Sequence, residues 1–169
     1  MNERMVRITH AIIMSFTLLF AIVTLGISAS LVSMYNKEGN PAHHGTQYRD
    51  RIRITLVGAV WTTVFSLVLL IGFQTAGHSA AWGIITHMVP IVIGFLLTLI
   101  GASSVTALTN TVDCGNKDQT FNHCSMVKNM VVTAWIDTIF LFIGVVLLII
   151  IAFHARAWGG ARRQSLYVE

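Results

Sequence analysis

Hydrophobic residues in this chain form four long, nearly uninterrupted blocks separated by short polar stretches, without the strict alternation of half-buried strands. The blocks run about from Ile8 to Met34, Ile54 to Gln74, Gly83 to Leu108 and Met130 to Phe153. Each is longer than the ~18 apolar residues that mark a bilayer-spanning helix. At ~1.5 Å per residue they measure roughly 30 to 40 Å, enough to cross a hydrocarbon core of ~30 Å. Lipid supplies no hydrogen-bond partner for the backbone, so segments without barrel-like alternation must satisfy themselves as helices. The pattern predicts an all-α polytopic membrane protein: a four-transmembrane-helix bundle in a single domain covering residues 1–169.

Composition narrows the reading further. Of 169 residues, 54% are hydrophobic and 11% charged; soluble domains carry about 25% charged residues, and disordered chains far less apolar surface. Both classes are excluded. The first block follows Arg4 and Arg7 as a secretory signal would, but it is too long for an apolar signal core of about 7 to 15 residues. A retained signal-anchor helix is expected.

Four spans put both termini on one side of the membrane. Arg4, Arg7, Arg156, Arg162 and Arg163 lie on that side, against Lys37, Arg49, Arg51, Arg53, Lys117 and Lys128 on the other. With the two sides so nearly balanced, the positive-inside rule does not select an orientation. Cysteine is more informative, because the two in the chain, Cys114 and Cys124, share one polar loop. A disulfide between them would require an oxidising compartment, making that loop extracytoplasmic and both termini cytoplasmic. Free thiols, or metal or redox use of the pair, are the alternatives. However, His123 is the only histidine in the loop and a CxxC pair is absent.

The loops, Tyr35 to Arg53, Thr75 to Trp82 and Thr109 to Asn129, are too small to hold an enzyme domain, and Gly39, Asn40-Pro41 and Gly45 mark the first as irregular. The sequence contains no Gly-x-Ser-x-Gly, no His-Glu-x-x-His and no phosphate-binding glycine loop. Neither catalysis nor a cofactor is expected, and no nucleic-acid partner.

Ionisable groups inside a bilayer are costly and hence informative. Asp137 lies within the fourth block, within reach of Arg51 and Arg53 at the start of the second and of Lys128, and its expected partner is Arg53, an ion pair setting the register of two helices. A proton or ion relay, or a carboxylate turned to the headgroups, are the other readings. His10, His87 and His154 fall at one membrane level near the terminal side. Histidines at helix ends commonly face the wet interface, while a haem would need imidazoles facing one another across neighbouring helices. His43-His44 has no further ligands beside it and is expected to be solvated.

Small residues recur at packing intervals: Gly58, Thr62 and Ser66 in the second block, Gly94, Thr98 and Ala102 in the third. Such ladders let helix backbones approach closely in lipid. They serve either the bundle itself or a face for another protein. Trp61, Trp82, Trp135 and Trp158, with Tyr35 and Tyr48, are expected mostly at the interfaces as anchors. The tail motif Arg162-Arg163-Gln164-Ser165 has the form of a basophilic kinase site at Ser165, next to arginines suited to anionic lipid.

Three places resemble the MARVEL-domain family of four-helix membrane proteins, its small fungal members especially. Arg51-Ile52-Arg53-Ile54 leading to Val60-Trp61-Thr62 is similar to the arginine-rich start and mid-helix tryptophan of that family's second span. Ala107-Leu108-Thr109 with Asp113-Cys114 and Cys124 resembles its third-loop cysteine pair, and Ala134-Trp135-Ile136-Asp137 the small-aromatic opening of its fourth span. The resemblance implies cytoplasmic termini and work in organising membrane through lipid and protein contacts, including sterol- or sphingolipid-rich patches. The leading expectation is therefore a non-enzymatic tetraspan scaffold of the plasma or secretory membrane, associating with lipids, with itself or within a larger complex. Two further readings stay open: an accessory subunit of a larger membrane enzyme or transporter, and a small haem or proton-handling protein built on the three histidines.

Overall fold

The computed structural model describes residues 3–39, 45–76, 84–110, 112–115 and 122–157. Trp82, Trp158, His43, His44, Lys117, Arg162, Arg163 and Ser165 lie outside the described residues, as do the side chains of Arg4, Arg7, His154 and Arg156. Four helices account for most of what is described: α1 (Glu3–Glu38), α2 (Gly45–Ala76), α3 (Ile84–Thr109) and α4 (Cys124–Ala157). All four are long and apolar enough to cross a membrane. Each packs on its chain neighbours, and α4 closes back on α1, so the bundle is a ring in which α1 and α3, like α2 and α4, stand across from one another.

The helices outrun the apolar blocks. The segment Tyr35 to Arg53, which reads from sequence as irregular loop, is mostly helix, with α1 continuing to Glu38 and α2 beginning at Gly45. Local polarity masks the periodicity there, since Tyr48, Ile52 and Thr55 are buried at helical spacing while Thr46, Gln47, Asp50 and Arg53 face outward. Gly39 stops α1: at φ 88° it occupies the left-handed region, and its N–H reaches the Tyr35 carbonyl at 3.1 Å. The third loop is shortened likewise, because α4 begins at Cys124 rather than near Met130.

Buried positions follow a period of about 3.5 residues in every helix. In α1 they include His10, Met14, Thr17, Ala21, Thr24, Ser28, Leu31 and Tyr35; in α4, Val127, Met130, Ala134, Asp137, Leu141 and Leu148. That spacing keeps one seam turned to the bundle axis. Along the axis the core is layered. One apolar cluster, Leu31, Tyr35, Ile52, Val105, Val127 and Met130, fills the end nearer the cysteine loop. Another, Met14, Leu69, Ile91, Leu141 and Leu148, fills the end nearer the termini. Between them lies a belt of small and hydroxyl-bearing residues. Large apolar side chains such as Phe16, Leu19, Val57, Val64, Leu96, Ile139 and Phe142 point away from the bundle, where the matching solvent is lipid.

Candidate functional site

The belt and the cysteine-loop end carry most of the chain's specific chemistry. In the belt, glycines let α2 and α3 touch at the backbone. A Cβ on Gly58 would stand 3.3 Å from the Leu97 carbonyl carbon and 3.4 Å from the Thr98 nitrogen; one on Gly101 would stand 3.0 Å from Thr55 Cα. A Cβ on Gly94 would meet Thr62 Oγ1 at 3.4 Å. Gly58, Thr62, Ser66, Gly94, Thr98 and Ala102 are all buried. Both ladders therefore turn into the bundle and leave no small-residue face among these positions for another protein.

Hydroxyls in the belt mostly donate one turn back along their own helix, as Thr98 does to the Gly94 carbonyl at 3.0 Å and Thr138 to Ala134 at 2.7 Å. This satisfies the proton without water. One pair crosses between helices: Thr24 Oγ1 of α1 donates to Thr133 Oγ1 of α4 at 3.1 Å. The α1 side of the belt is a feature that the two ladders of α2 and α3 do not announce, although Thr17, Ala21, Thr24 and Ser28 repeat at the intervals of a small-residue seam.

Asp137 sits in this belt on the seam of α4, one turn from Thr133 on one side and from Leu141 on the other. It is fully buried, and neither carboxylate oxygen has a hydrogen-bond partner among the described residues. The expected Arg53–Asp137 pair is not formed. Arg53 is exposed on the outer face of α2, and α2 stands across the ring from α4. Because α4 starts at Cys124, Asp137 also lies about 20 Å along its helix, deeper than the apolar block suggested. The inward-reaching cation is Arg51, whose Nη1 donates to the Ser104 carbonyl of α3 at 2.6 Å.

Two of the three histidines meet. His10 and His87, both buried, approach across the ring from α1 and α3 with centroids 5.5 Å apart and planes 70° apart. They belong to the core rather than a wet interface. The contact is edge to face, an arrangement in which no porphyrin plane separates the rings.

Trp61 and Trp135 likewise serve inside the bundle and not as headgroup anchors. Trp61 Nε1 donates to the Pro90 carbonyl at 3.1 Å, and Trp135 Nε1 to Thr106 Oγ1 at 2.9 Å. An indole N–H in hydrocarbon must find a protein acceptor, and both find theirs on α3.

At the cysteine-loop end the contacts converge. Cys114 and Cys124 form a disulfide with Cα atoms 5.7 Å apart. It fastens the segment after α3 to the first residue of α4. The Tyr35 hydroxyl donates to the Asn122 carbonyl at 2.9 Å, and Tyr48 to the Leu108 carbonyl at 3.0 Å. His123, at φ 64°, places Nε2 2.8 Å from Glu38 Oε2 and its ring edge-on to Tyr35. Thus α1 and α2 both bond to the ends of the cysteine loop. Among the described residues, no group of three or more histidine, cysteine or acidic side chains is arranged to hold a metal ion.

This architecture defines a tetraspan membrane bundle with a disulfide-fastened end. The chain belongs to the MARVEL family, whose model, described as a membrane-associating domain, matches residues 7–154. No curated protein and no solved structure matches the chain significantly.

Proposed function

We propose that this protein is a non-enzymatic membrane-organising scaffold of the plasma or secretory membrane, acting by association with lipid, with further copies of itself and with other membrane proteins. The observation that carries it is the division of labour between surfaces. The small and hydroxyl-bearing groups of the two ladders are used to close the bundle, whereas large branched and aromatic apolar side chains dominate the outward surface. Such a coat suits lipid and other spans. Membership in a membrane-associating family supports the same reading.

In this reading both termini are cytoplasmic, since the disulfide loop lies on the opposite side and disulfides persist in oxidising compartments. Sterol- or sphingolipid-rich patches are the proposed setting, and phosphorylation of Ser165 would weaken contact between the basic tail and anionic lipid. The test is purification of the tagged chain in nanodiscs, with mass spectrometry of everything retained. Recovery of further copies and enriched lipid is the expected result. A large enzyme or transporter at fixed stoichiometry would replace the scaffold with an accessory subunit.

A further inference from the structure

Three arginines follow one another at alternate positions near the start of α2, and the structure gives them different tasks. Arg51 turns inward to the Ser104 carbonyl. Arg49 and Arg53, one helical turn apart, share the outer face, where they line an open cleft with Ile52 and with Val32, Tyr35 and Asn36 of α1. The cleft is shallow and open to the outside. Arg49 shares its charge with the exposed Asp50, at 3.3 Å. Arg53 forms no hydrogen bond or ion pair with a described residue, although its position lets it project into the cleft. Two arginines and an asparagine therefore border an apolar floor.

Location selects the anion. The cleft lies near one end of the bundle, where α1 terminates and α2 begins, at the level of lipid headgroups. Directly along α2 from Arg49 and Arg53 run Val57, Val60, Val64, Val68 and Ile71, all exposed. A ligand carrying an anion at one end and hydrocarbon below it fits both regions together. We propose that a membrane phospholipid rests its phosphate at the mouth of the cleft, against Arg49 and Arg53, with its acyl chains lying on the outer stripe of α2. Arginine's planar fork suits a phosphate oxygen pair better than a point charge would. This site rests on the lipid-association part of the proposed function and gives it a headgroup and an address.

The experiment is native mass spectrometry of the full chain in non-ionic detergent, titrated with dioleoylphosphatidylglycerol and, separately, with dioleoylphosphatidylcholine. The wild type should retain one phospholipid of either kind. Arg53→Gln should weaken retention about fivefold, and Arg49→Gln with Arg53→Gln about thirtyfold, equivalent to about 1 kcal/mol per arginine. Lys128→Gln, on α4 across the ring from α2, should leave it unchanged. Because Arg53 makes no contact that the fold uses, its single variant keeps the test open should the double variant misfold. Retention undiminished in Arg53→Gln, or equally diminished in Lys128→Gln, would overturn the site. Displacement of the lipid by an equal concentration of glycerol 3-phosphate would overturn the lipid assignment in favour of a free phosphate ligand. Loss of partner capture in nanodiscs with lipid retention intact would instead sink the scaffold and leave the site standing.

Discussion

Adding one methyl group at Gly101 should loosen the bundle, and the size of the effect follows from what that methyl meets. A Cβ there would lie 3.0 Å from both Cα and Oγ1 of Thr55, well inside the ~3.5–4.0 Å at which carbon atoms rest. One of those atoms is backbone, so relief requires α2 and α3 to part rather than a side chain to swing. Overpacking of this kind costs about 1–3 kcal/mol. Alanine also favours helix over glycine by up to ~1 kcal/mol, which would mask part of the loss. Gly26 supplies the reference, because a Cβ there meets nothing within 4 Å and Gly26→Ala therefore registers propensity alone. Unfolding in mixed micelles of rising SDS fraction, followed by tryptophan fluorescence, should place Gly101→Ala about 1–3 kcal/mol below Gly26→Ala. Gly58→Ala should fall between them, and Gly94→Ala close to Gly26→Ala, since its nearest neighbours are side chains at 3.4 and 3.5 Å. If Gly101→Ala and Gly26→Ala agreed within about 0.5 kcal/mol, the close α2–α3 approach would be refuted.

Other consequences can be checked in the same assay. Replacing Cys114 and Cys124 by serine opens a link of sequence separation 10 and should cost about 2–3 kcal/mol by loop-closure entropy, while a reductant should lower the wild type to the same level and leave the variant unmoved. A double-mutant cycle of Arg53→Gln and Asp137→Asn should show coupling within about 0.5 kcal/mol; a value of several kcal/mol, as for a broken buried pair, would restore the ion pair that the structure does not form. Trp61→Phe and Trp135→Phe should each lose about 0.5–1.5 kcal/mol for a hydrogen bond removed, with no loss if the rings merely float at the interface. A cysteine introduced at Ser165 should react with a membrane-impermeant maleimide only after the cell is permeabilised; labelling of intact cells would reverse the proposed orientation.

The number and type of elements are legible in the sequence because hydropathy over tens of residues is decided by the bilayer and not by neighbours in the fold. The disulfide can be anticipated as well, since two cysteines in one short polar loop leave little choice of partner. Features that depend on rotation about a helix axis are not legible. Arg51 and Arg53 are two residues apart and so point about 200° apart on a helix, one inward and one outward; the sequence offers both as partners for Asp137 and contains nothing to rank them. The polar beginning of α2 reads as loop because Tyr48, Ile52 and Thr55 reveal their common face only once the helix is assumed. Residue type alone sends Trp61 and Trp135 to the interfaces, yet acceptors on α3 are available to them deeper in the bundle.

The layering of the core follows from the solvent outside it. In water an apolar interior is what drives helices together, but in lipid apolar side chains gain little by leaving the exterior, so cohesion has to come from close backbone approach and from polar groups that need partners. The belt supplies both: Gly58, Gly94 and Gly101 permit the approach, and Thr24 with Thr133 supplies a bond between helices. Asp137 departs from this logic, because it occupies the belt without a hydrogen bond to a described residue, and a residue that stabilised the bundle only by packing would be served better by leucine. Asp137→Leu should therefore raise resistance to SDS by about 1–3 kcal/mol, the cost of a buried polar group left without a partner. Comparison with Asp137→Asn, which keeps the shape and a polar head, separates what the acid itself costs from the cost of polarity. A Leu variant less stable than wild type would mean that the carboxylate is satisfied in the membrane by something other than a side chain or backbone group of this bundle.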